Sequence, residues 1–468
     1  MSKNKIIIFG AGPSGLSTAY GVKKNSPQDI EMFEKKSSVG GLAGSFIMDK
    51  DFIDYGPHRL AIQNLKIKQI AESLLRSNIL INKSQHGVQF KNRLYQFPPK
   101  IKDLINIKSI IIILKIISSY FLGKLHWFVN RYGNENFNEF IHHQFGKFFL
   151  DEIARPMSTK VWGDSNKIDP SFVTQRFSMI KPFEIFKQFI FPSPKLNPSI
   201  FYYPKYGGFQ AIWDAMKESL ENNKVKINLE SYPTKIEIEN SKIKYIEIQN
   251  KNGLVKLNTE NSTVVSSIPI FNLIKIMNTN TDNLLNLAKE VRIRSMYLVI
   301  MKFNQNQTLP YRTLIFPEKE FIFNRIFEQN LYSRNTIEDN KSVIVADITF
   351  DKNSEFYSTD KIKEIVKEQI GKLNYINIDK LESIKVELIE HAYVSPEEQT
   401  RKNFQLIEKK LNEIENLELI GRFGVGEYDN SDYAILNGLN LSDYLTSKIS
   451  KIEYDLIKSG SSQEKILG

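Results

Sequence analysis

The beginning of the chain consists of short apolar runs separated by a glycine-rich turn. Lys5–Phe9 is apolar, Gly10–Gly15 follows, Leu16–Lys23 has helical character, and Ile30–Phe33 is apolar again. Short apolar runs bounded by glycines predict buried strands. The order strand, turn, helix, strand is typical of a βαβ unit with a parallel sheet. The pattern therefore predicts an α/β domain at this end of the chain.

Strand-like patterns return in the second half of the chain. Between them and the βαβ unit, the region from Ile101 to Phe191 is predicted to be mixed and mainly helical. Asn252-Gly253 predicts a hairpin turn, and Tyr433–Ser447 predicts a late helix. The predicted strands are Lys224–Leu229, Lys235–Glu239, Ile243–Gln249, Leu254–Asn258, Thr263–Ile268, Tyr297–Phe303, Phe321–Phe327, Ser342–Phe350 and Leu417–Ile420.

The most apolar stretch of the chain, Ile101–Trp127, is interrupted by Lys108, Lys115 and Lys124. A membrane-spanning helix needs about 20 predominantly apolar residues, so this stretch is not expected to span a bilayer. Two interpretations remain: a buried or substrate-covering helix, or an interfacial helix whose lysines face anionic headgroups. The first residues do not have the pattern of a signal peptide. We therefore expect a cytoplasmic protein, with membrane association through residues 101–127 as the alternative.

Composition narrows the available chemistry. The 468 residues include 63 Lys+Arg and 53 Asp+Glu, a formal net charge of +10, and no cysteine. Without cysteine there is no disulfide, thiolate metal site, thiol nucleophile or cysteinyl cofactor link. No basic run interleaved with aromatic residues indicates nucleic-acid binding, so we assign the charge to an anionic cofactor and substrate and to lysine-rich composition. No metal site is expected, because no acidic partners stand at ligand spacing from His126, His142, His143 and His391.

The glycine-rich turn predicts a dinucleotide site. Gly10 permits the tight turn, Gly12 lets the backbone approach a pyrophosphate, and Gly15 allows close packing of helix on strand. The helix N-terminus adds amide groups and partial positive charge. Glu34 ends the second strand, where a carboxylate accepts hydrogen bonds from ribose hydroxyls and would repel a 2′-phosphate. The nucleotide at this position is therefore not expected to be NADP.

Further glycine motifs distinguish FAD from NAD. Gly40–Gly44 follows the acidic residue closely, and Tyr55-Gly56-Pro57-His58 comes next. This combination resembles the FAD-dependent superfamily of monoamine oxidases, protoporphyrinogen oxidases, phytoene desaturases and UDP-galactopyranose mutases. The resemblance extends from Ile6 to Leu445. It includes Thr159–Gly163 with Asp169-Pro170 and Gln175-Arg176, then Tyr203–Gly208 with Ile212-Trp213, Val264–Pro269, Leu419–Gly424 and Tyr428–Asp432.

The resemblance implies an α/β fold with a Rossmann-like FAD-binding domain of the flavin amine oxidase type and a mixed α+β substrate domain. The FAD-binding domain is expected over 1–59, 202–277 and 404–468, and the substrate-binding domain over 60–201 and 278–403. The family usually has a valine near the adenine, where this chain has Pro233, which lacks an amide donor. FAD is expected to bind non-covalently through Gly10, Gly12, Pro13, Ser14, Gly15, Glu34, Lys35, Gly41, Leu42, Gly56, Pro57, His58, Gly421, Arg422, Tyr428 and Ser431.

Two reactions fit the resemblance, and the flavin carries the reactive step in both. In the first, an oxidoreductase transfers hydride from a small-molecule substrate to flavin N5. In the second, a redox-neutral mutase of the UDP-galactopyranose type acts on a sugar nucleotide. His58, Arg294 and Arg325 are the predicted catalytic residues in either case. The substrate and the oligomeric state stay open. Candidates for a diphosphate clamp are Arg155, Arg176, Arg294, Arg325, Tyr202, Tyr297, Tyr393 and Tyr428.

Three other residues are further candidates for the site. Trp162 is expected in the core, with stacking on a uracil as the alternative. Asp347 and Glu390 are acid/base candidates by analogy with the family only.

Overall fold

The computed structural model describes residues 5–62, 64–97, 107–129, 136–169, 172, 200–278, 282–352 and 357–464. The strands are β1 (Lys5–Phe9), β2 (Ile30–Phe33), β3 (Ser45–Met48), β4 (Asp51–Asp54), β5 (Leu60–Ala61), β6 (Ile79–Lys83), β7 (His86–Phe90), β8 (Arg93–Phe97), β9 (Ile200–Pro204), β10 (Lys226–Asn228), β11 (Tyr232–Glu239), β12 (Lys242–Asn250), β13 (Gly253–Asn258), β14 (Ser262–Ser266), β15 (Ile293–Phe303), β16 (Thr313–Ile315), β17 (Arg325–Glu328), β18 (Ser342–Asp351), β19 (Leu381–Val394) and β20 (Leu417–Leu419).

The helices of the described residues surround these strands. They are α1 (Pro13–Asn25), α2 (Leu65–Leu75), α3 (Ile107–Val129), α4 (Phe137–Phe145), α5 (Lys147–Phe149), α6 (Arg155–Trp162), α7 (Gln210–Asn222), α8 (Ile270–Lys275), α9 (Asp282–Glu290), α10 (Thr359–Gly371), α11 (Glu398–Leu411), α12 (Arg422–Val425), α13 (Ser431–Leu445) and α14 (Lys451–Glu464). A π-helical turn, Leu150–Ala154, joins α5 to α6.

A parallel sheet in the order β10-β2-β1-β14-β20 forms the first layer. Its central strands β1 and β14 are almost entirely buried, which is why they appear in the sequence as continuous apolar runs. Helix α1 packs on this sheet beside α13 at very close range. A Cβ atom on Gly438 would lie 2.1 Å from Ser17 Oγ, and one on Gly21 would lie 2.1 Å from Ser442 Oγ. Glycine at both positions therefore lets the two helix backbones approach each other.

A larger, mixed sheet in the order β19-β15-β18-β17-β16-β7-β8 forms the second layer. All five strands of the parallel sheet come from the segments 1–59, 202–277 and 404–468, and all seven strands of the mixed sheet come from 60–201 and 278–403. The two sheets thus draw on separate segments of the chain, and the division into domains at these bounds stays a prediction. The assignment of one set to FAD and the other to the substrate stays a prediction.

The β1–α1–β2 unit, most late strands and the late helix lie close to their predicted positions. Two local predictions are wrong. Asn250 pairs with Gly253, so that the hairpin turn is formed by Lys251-Asn252 and not by Asn252-Gly253. The predicted strand Phe321–Phe327 begins only at Arg325, because Phe321 and Phe323 pack against Phe316 from a loop. The strands between Ser45 and Phe97 were not predicted.

From Ile107 onward, the apolar stretch Ile101–Trp127 lies in the long helix α3. Residues 101–106 of that stretch lie outside the described part of the chain, as do 130–135, 170, 171 and 173–191 of the predicted mainly helical region. Among the described residues, no helix has both the length and the apolar character that crossing a membrane requires. Several large apolar side chains of α3 are exposed, namely those of Ile110, Ile111, Leu114, Phe121, Leu122, Leu125 and Phe128.

Candidate functional site

A cavity of about 440 Å³ lies where the glycine-rich turn, the Tyr55–Arg59 segment, the mixed sheet and the 421–434 segment meet. Ligand pockets of enzymes commonly have volumes of a few hundred Å³ or more. Most of the predicted site residues reach this cavity. They are Gly12, Pro13, Ser14, Leu42, Gly56, Pro57, His58, Arg325, Gly421, Arg422, Tyr428 and Ser431.

The three glycines of the first motif occupy different environments. Gly10 has φ +94°, a conformation that favours glycine. A Cβ atom on Gly15 would lie 2.1 Å from the carbonyl oxygen of Gly10, so helix and turn are in direct contact there. By contrast, a Cβ atom on Gly12 would have no atom within 4 Å. Only Gly12 of these three borders the cavity, and it leaves open space beside the first turn of α1.

The same turn provides hydrogen-bond donors and an ordered carboxylate. Helix α1 begins at Pro13, and its N-cap residue Gly12 supplies no side-chain cap. The Glu34 carboxylate accepts hydrogen bonds from the backbone N–H groups of Ala11 (2.8 Å) and Lys36 (2.9 Å). An uncapped helix N-terminus with open backbone beside it suits a phosphate group. The residues present therefore fit a dinucleotide diphosphate at this position.

Five predicted cofactor residues stand next to the cavity without bordering it: Gly10, Gly15, Glu34, Lys35 and Gly41. Gly41 has φ +56°, and a Cβ atom on it would lie 3.4 Å from the Cα atom of Gly12, so the two glycine motifs are in contact. Lys35 points elsewhere: its ammonium group lies 5.5 Å from the centre of the Tyr232 ring.

His58 contributes a neutral imidazole to the cavity wall. Its ring lies 5.2 Å from the Phe209 ring, and its Nδ1 atom is shielded from solvent without a hydrogen-bond partner. Burial, together with the positive charges of Arg325 and Arg422, lowers the pKa of His58 from 6.5 to about 3. A neutral imidazole can donate one hydrogen bond and accept another, but it is not a proton source at neutral pH.

We expect His58 to stay neutral across the range in which ordinary histidines titrate. Its folded-state pKa of about 3 lies below the ordinary value of 6.5, so its burial contributes to stability fully above pH 6.5 and progressively less as the pH falls toward 3. NMR titration of the imidazole resonances, assigned with His58→Gln, measures this directly. A midpoint for His58 between pH 6 and 7 would contradict the prediction.

Arg325 is held from behind by a buried carboxylate. Its Nε atom donates to Asp347, whose side chain is 1% exposed, and its Nη2 atom donates to the Tyr393 hydroxyl at 3.4 Å. Burial raises the pKa of Asp347, and the charge of Arg325 opposes that increase. Asp347 does not border the cavity. It is therefore placed to orient Arg325, not to exchange protons with a ligand.

Aromatic rings flank a second arginine on the same wall. The Arg422 guanidinium lies 4.8 Å from the centre of the Tyr428 ring, donates to the carbonyl oxygen of Asp429, and also donates to that of Ala392 at 3.3 Å. The rings of Tyr428 and Tyr393 stack at 6.2 Å. Both tyrosines thus sit beside an arginine, an arrangement that can hold an anionic or planar ligand.

Trp162 lies behind these tyrosines. Its indole packs edge-on against Tyr393 at 5.3 Å and Tyr428 at 5.5 Å, is 5% exposed, and does not border the cavity. It supports the wall from the core.

Two arginines and a histidine of this cavity were not predicted from the sequence. Arg59 donates to Ser84 at 3.0 Å and lies 3.3 Å from His86 Nε2. Arg312 donates to the carbonyl oxygen of Leu331, and all three residues border the cavity. Burial and the neighbouring arginines lower the pKa of His86 to about 4. The position of Arg59 directly after Gly56-Pro57-His58 was a usable signal, whereas His86 and Arg312 reach the cavity only through sheet pairing.

The structure corrects the prediction of Arg294 as a catalytic residue. Its guanidinium is buried away from the cavity, 2.9 Å from Asp351, and donates to the carbonyl oxygens of Lys160 (3.2 Å) and Thr349 (3.3 Å). The ion-pair and hydrogen-bond partners of the Arg294 guanidinium are therefore protein groups. Other predicted clamp residues also have protein partners: Arg155 pairs with Asp151, the Tyr202 hydroxyl donates to Glu72, and Tyr297 stacks on Phe350. Glu390 is 3.6 Å from Lys352, and Arg176 lies outside the described residues.

Comparison with known proteins supports the fold. The family model of the NAD(P)-binding Rossmann-like domain matches residues 8–74. A coproporphyrinogen III oxidase of Staphylococcus aureus is 26% identical over 169 residues, which cover 34% of this chain and 36% of that protein. The match thus spans about a third of the length of this curated relative.

Two solved structures match over nearly the whole chain. Reduced UDP-galactopyranose mutase aligns with a TM-score of 0.83 and 20% identity, covering 97% of this chain and 96% of that one. A proposed protoporphyrinogen oxidase from Exiguobacterium sp. 255-15 aligns with a TM-score of 0.69 and 15% identity, covering 96% and 100%. The Rossmann-like domain, the fold class and the resemblance predicted from the motifs are confirmed.

Proposed function

We propose that this chain is a flavoenzyme that binds FAD non-covalently along the glycine-rich turn. The observation that carries the proposal is the open space beside Gly12 at the uncapped N-terminus of α1, in one continuous cavity with His58 and Arg325. Gly12, Pro13 and Ser14 would lie at the diphosphate, and Glu34 would face the ribose. When bound, FAD supplies a redox-active ring whose N5 atom accepts or donates hydride.

The favoured reaction is oxidation of an anionic small molecule. Arg59, Arg312, Arg325 and Arg422 all border the cavity, and the guanidinium group of arginine binds carboxylates and phosphates in a fixed, forked geometry. These residues would bind and orient the substrate. The neutral imidazole of His58 would hold a hydrogen bond without adding a further positive charge.

The second candidate is a redox-neutral sugar-nucleotide mutase. Two observations favour it: the alignment with UDP-galactopyranose mutase over 97% of this chain, and the grouping of Arg325, Tyr393 and Tyr428 on one wall. An arginine with neighbouring tyrosine hydroxyls can bind a diphosphate as well as it can bind a carboxylate.

One anaerobic experiment separates the two candidates. The purified protein is reduced and offered UDP-galactopyranose, and the products are separated by chromatography. Conversion to the furanose form without net flavin oxidation supports the mutase. For the oxidoreductase, the oxidised protein is mixed with coproporphyrinogen III, and flavin bleaching at about 450 nm is followed without oxygen. A colourless protein that gains no flavin spectrum with added FAD would refute both.

A contact with a membrane surface is a further proposal, carried by α3. Its exposed apolar side chains follow helical spacing, and Lys115 stands among them, also exposed. We expect co-sedimentation with vesicles containing about 30% phosphatidylserine that weakens as salt is raised. Leu122→Ser should reduce it, while Leu254→Ser, which alters an equally exposed leucine on β13, should not. Equal binding to neutral vesicles at high salt would contradict an electrostatic contact.

A further inference from the structure

His126 comes together with the consecutive residues His142 and His143 at the junction of α3 and α4. The imidazoles are those of His126 on α3 and of His142 and His143 on α4, and their ligand nitrogens all lie within 4.8 Å of one another. The ring centres of His126 and His142 are 5.0 Å apart, and those of His126 and His143 are 5.6 Å apart. His143 is buried, His142 is partly buried and His126 is exposed, so the group opens to solvent on one side.

The backbones around the three histidines are held in place independently of any ion. A Cβ atom on Gly123 would lie 2.5 Å from the carbonyl oxygen of His142 and 3.1 Å from the Cα atom of Gly146, so α3 and α4 touch at this point. Hydrogen bonds from Lys124 to Gln144 (3.0 Å) and from the Phe148 N–H to Ser119 (2.8 Å) tie the same segments together. The convergence of the imidazoles therefore follows from close helix packing and not from side-chain rotation alone.

The helix ends at this junction favour a cation. All three histidines are in the last turns of their helices, where the partial charge of the helix is negative. The Lys147 ammonium opposes a cation beside His142, whereas the Asp151 carboxylate favours one.

We propose that His126, His142 and His143 form a binding site for a divalent transition-metal ion, with zinc as the favoured ion. Imidazole nitrogens are preferred ligands of zinc, copper and nickel, whereas magnesium and calcium prefer oxygen. Tetrahedral zinc with Zn–N bonds of about 2.0–2.1 Å places its nitrogens about 3.3 Å apart. Small rotations of the imidazoles, which are within 4.8 Å at their ligand nitrogens, would reach this separation, and water would complete the coordination. The ion clamps the end of α3 to α4, and the site is separate from the flavin cavity.

Zinc titration of the untagged holoprotein, followed by isothermal titration calorimetry, tests the proposal. We expect one zinc per chain with a Kd below about 10 µM and no binding of magnesium. His126→Gln alters only the exposed ligand and should weaken zinc binding by about 30-fold or more. His391→Gln removes a histidine that packs on Phe271 and Phe423 outside the cluster, and it should bind zinc like the wild type.

A second measurement, the shift of Tm with zinc, distinguishes loss of the zinc site from misfolding of the variant. Zinc should raise the Tm of the wild type and of His391→Gln, and it should leave that of His126→Gln unchanged, because only the intact site gains binding energy in the folded state. The flavin spectrum of all three proteins should be the same. Zinc affinity that is equal in His126→Gln and the wild type, no binding at about 100 µM zinc, or equal loss in His391→Gln would each overturn the proposal.

Discussion

Gly12→Val is expected to give a folded protein that no longer retains FAD. The backbone of Gly12 is extended, with φ −76° and ψ −178°, so a valine there meets no conformational strain. The Cβ atom of that valine would also be free of clashes, since a Cβ atom at Gly12 has nothing within 4 Å. The added methyl groups would instead occupy the space assigned to the diphosphate. Overpacking of this kind costs about 1–3 kcal/mol, up to about 100-fold in Kd, and more where the ligand cannot shift.

The matched control is Gly371→Val. Gly371 ends α10, and a Cβ atom on it would meet only Ile378, at 3.9 Å. Both variants thus add the same side chain where the protein tolerates it, but only Gly12 borders the cavity. FAD affinity is measured by quenching of flavin fluorescence, and folding by circular dichroism and Tm. Retention of stoichiometric FAD by a folded Gly12→Val protein would show that the diphosphate lies elsewhere.

Local chemistry explains why the first part of the site was predictable. The strands Lys5–Phe9 and Ile30–Phe33 have the bounds expected from their apolar runs, because both are buried in a parallel sheet and carry no alternation. The glycines between them are required by backbone geometry, which a sequence displays directly. The position of Glu34 at the end of the second strand is predicted by the same βαβ unit. Residues whose role depends on one turn and its two neighbouring elements can therefore be located from sequence.

The remainder of the site depends on contacts between distant segments. Arg294 and Arg325 both lie on strands of the mixed sheet, yet Arg325 faces the cavity while Arg294 is buried against the carbonyl oxygen of Lys160. Alternation along a strand defines two faces but does not indicate which face borders a ligand. The same limit applies to Arg312, which joins the cavity through strand pairing.

The three-histidine cluster shows a related limit. Ligand spacing within one helix is visible in a sequence, but this cluster is assembled by contact between two helices. That contact depends on Gly123 and Gly146, whose small size lets the backbones meet. Neither glycine belongs to a recognisable motif, so the sequence indicated no metal site.

Arg325→Met is expected to lower both stability and substrate binding, by two separable effects. The pair of Arg325 with Asp347 joins a partly exposed side chain to one that is 1% exposed. Removing the arginine leaves the carboxyl group buried without its charged partner, and breaking such a pair costs about 3–5 kcal/mol. The exposed pair of Arg155 with Asp151 offers the comparison: its side chains are 43% and 33% exposed, so Arg155→Met should cost no more than about 0.5 kcal/mol.

The pH dependence of the variant identifies the buried carboxyl group as the cause. Burial raises the pKa of Asp347, and only the arginine opposes that increase. Without the arginine, Asp347 is protonated in the folded state at a pH where it is ionised in the unfolded state. Its folded-state pKa then exceeds the ordinary value of 3.8, so the stability of Arg325→Met should fall as the pH rises above about 4. Urea unfolding at several pH values measures this trend against the wild type.

The double variant Arg325→Met/Asp347→Asn separates the effect of Arg325 on stability from its effect on ligand binding. Replacing the carboxyl group by an amide removes the buried ionisable group, so most of the lost stability should return. Ligand binding should not return, because the guanidinium group on the cavity wall is still missing. Binding is followed through the flavin spectrum with UDP and with coproporphyrin III as probes, and a loss of about 10-fold or more is expected for the double variant. If the double variant recovered both stability and ligand affinity, Arg325 would be a structural residue, and the anion-binding wall would consist of Arg59, Arg312 and Arg422 alone.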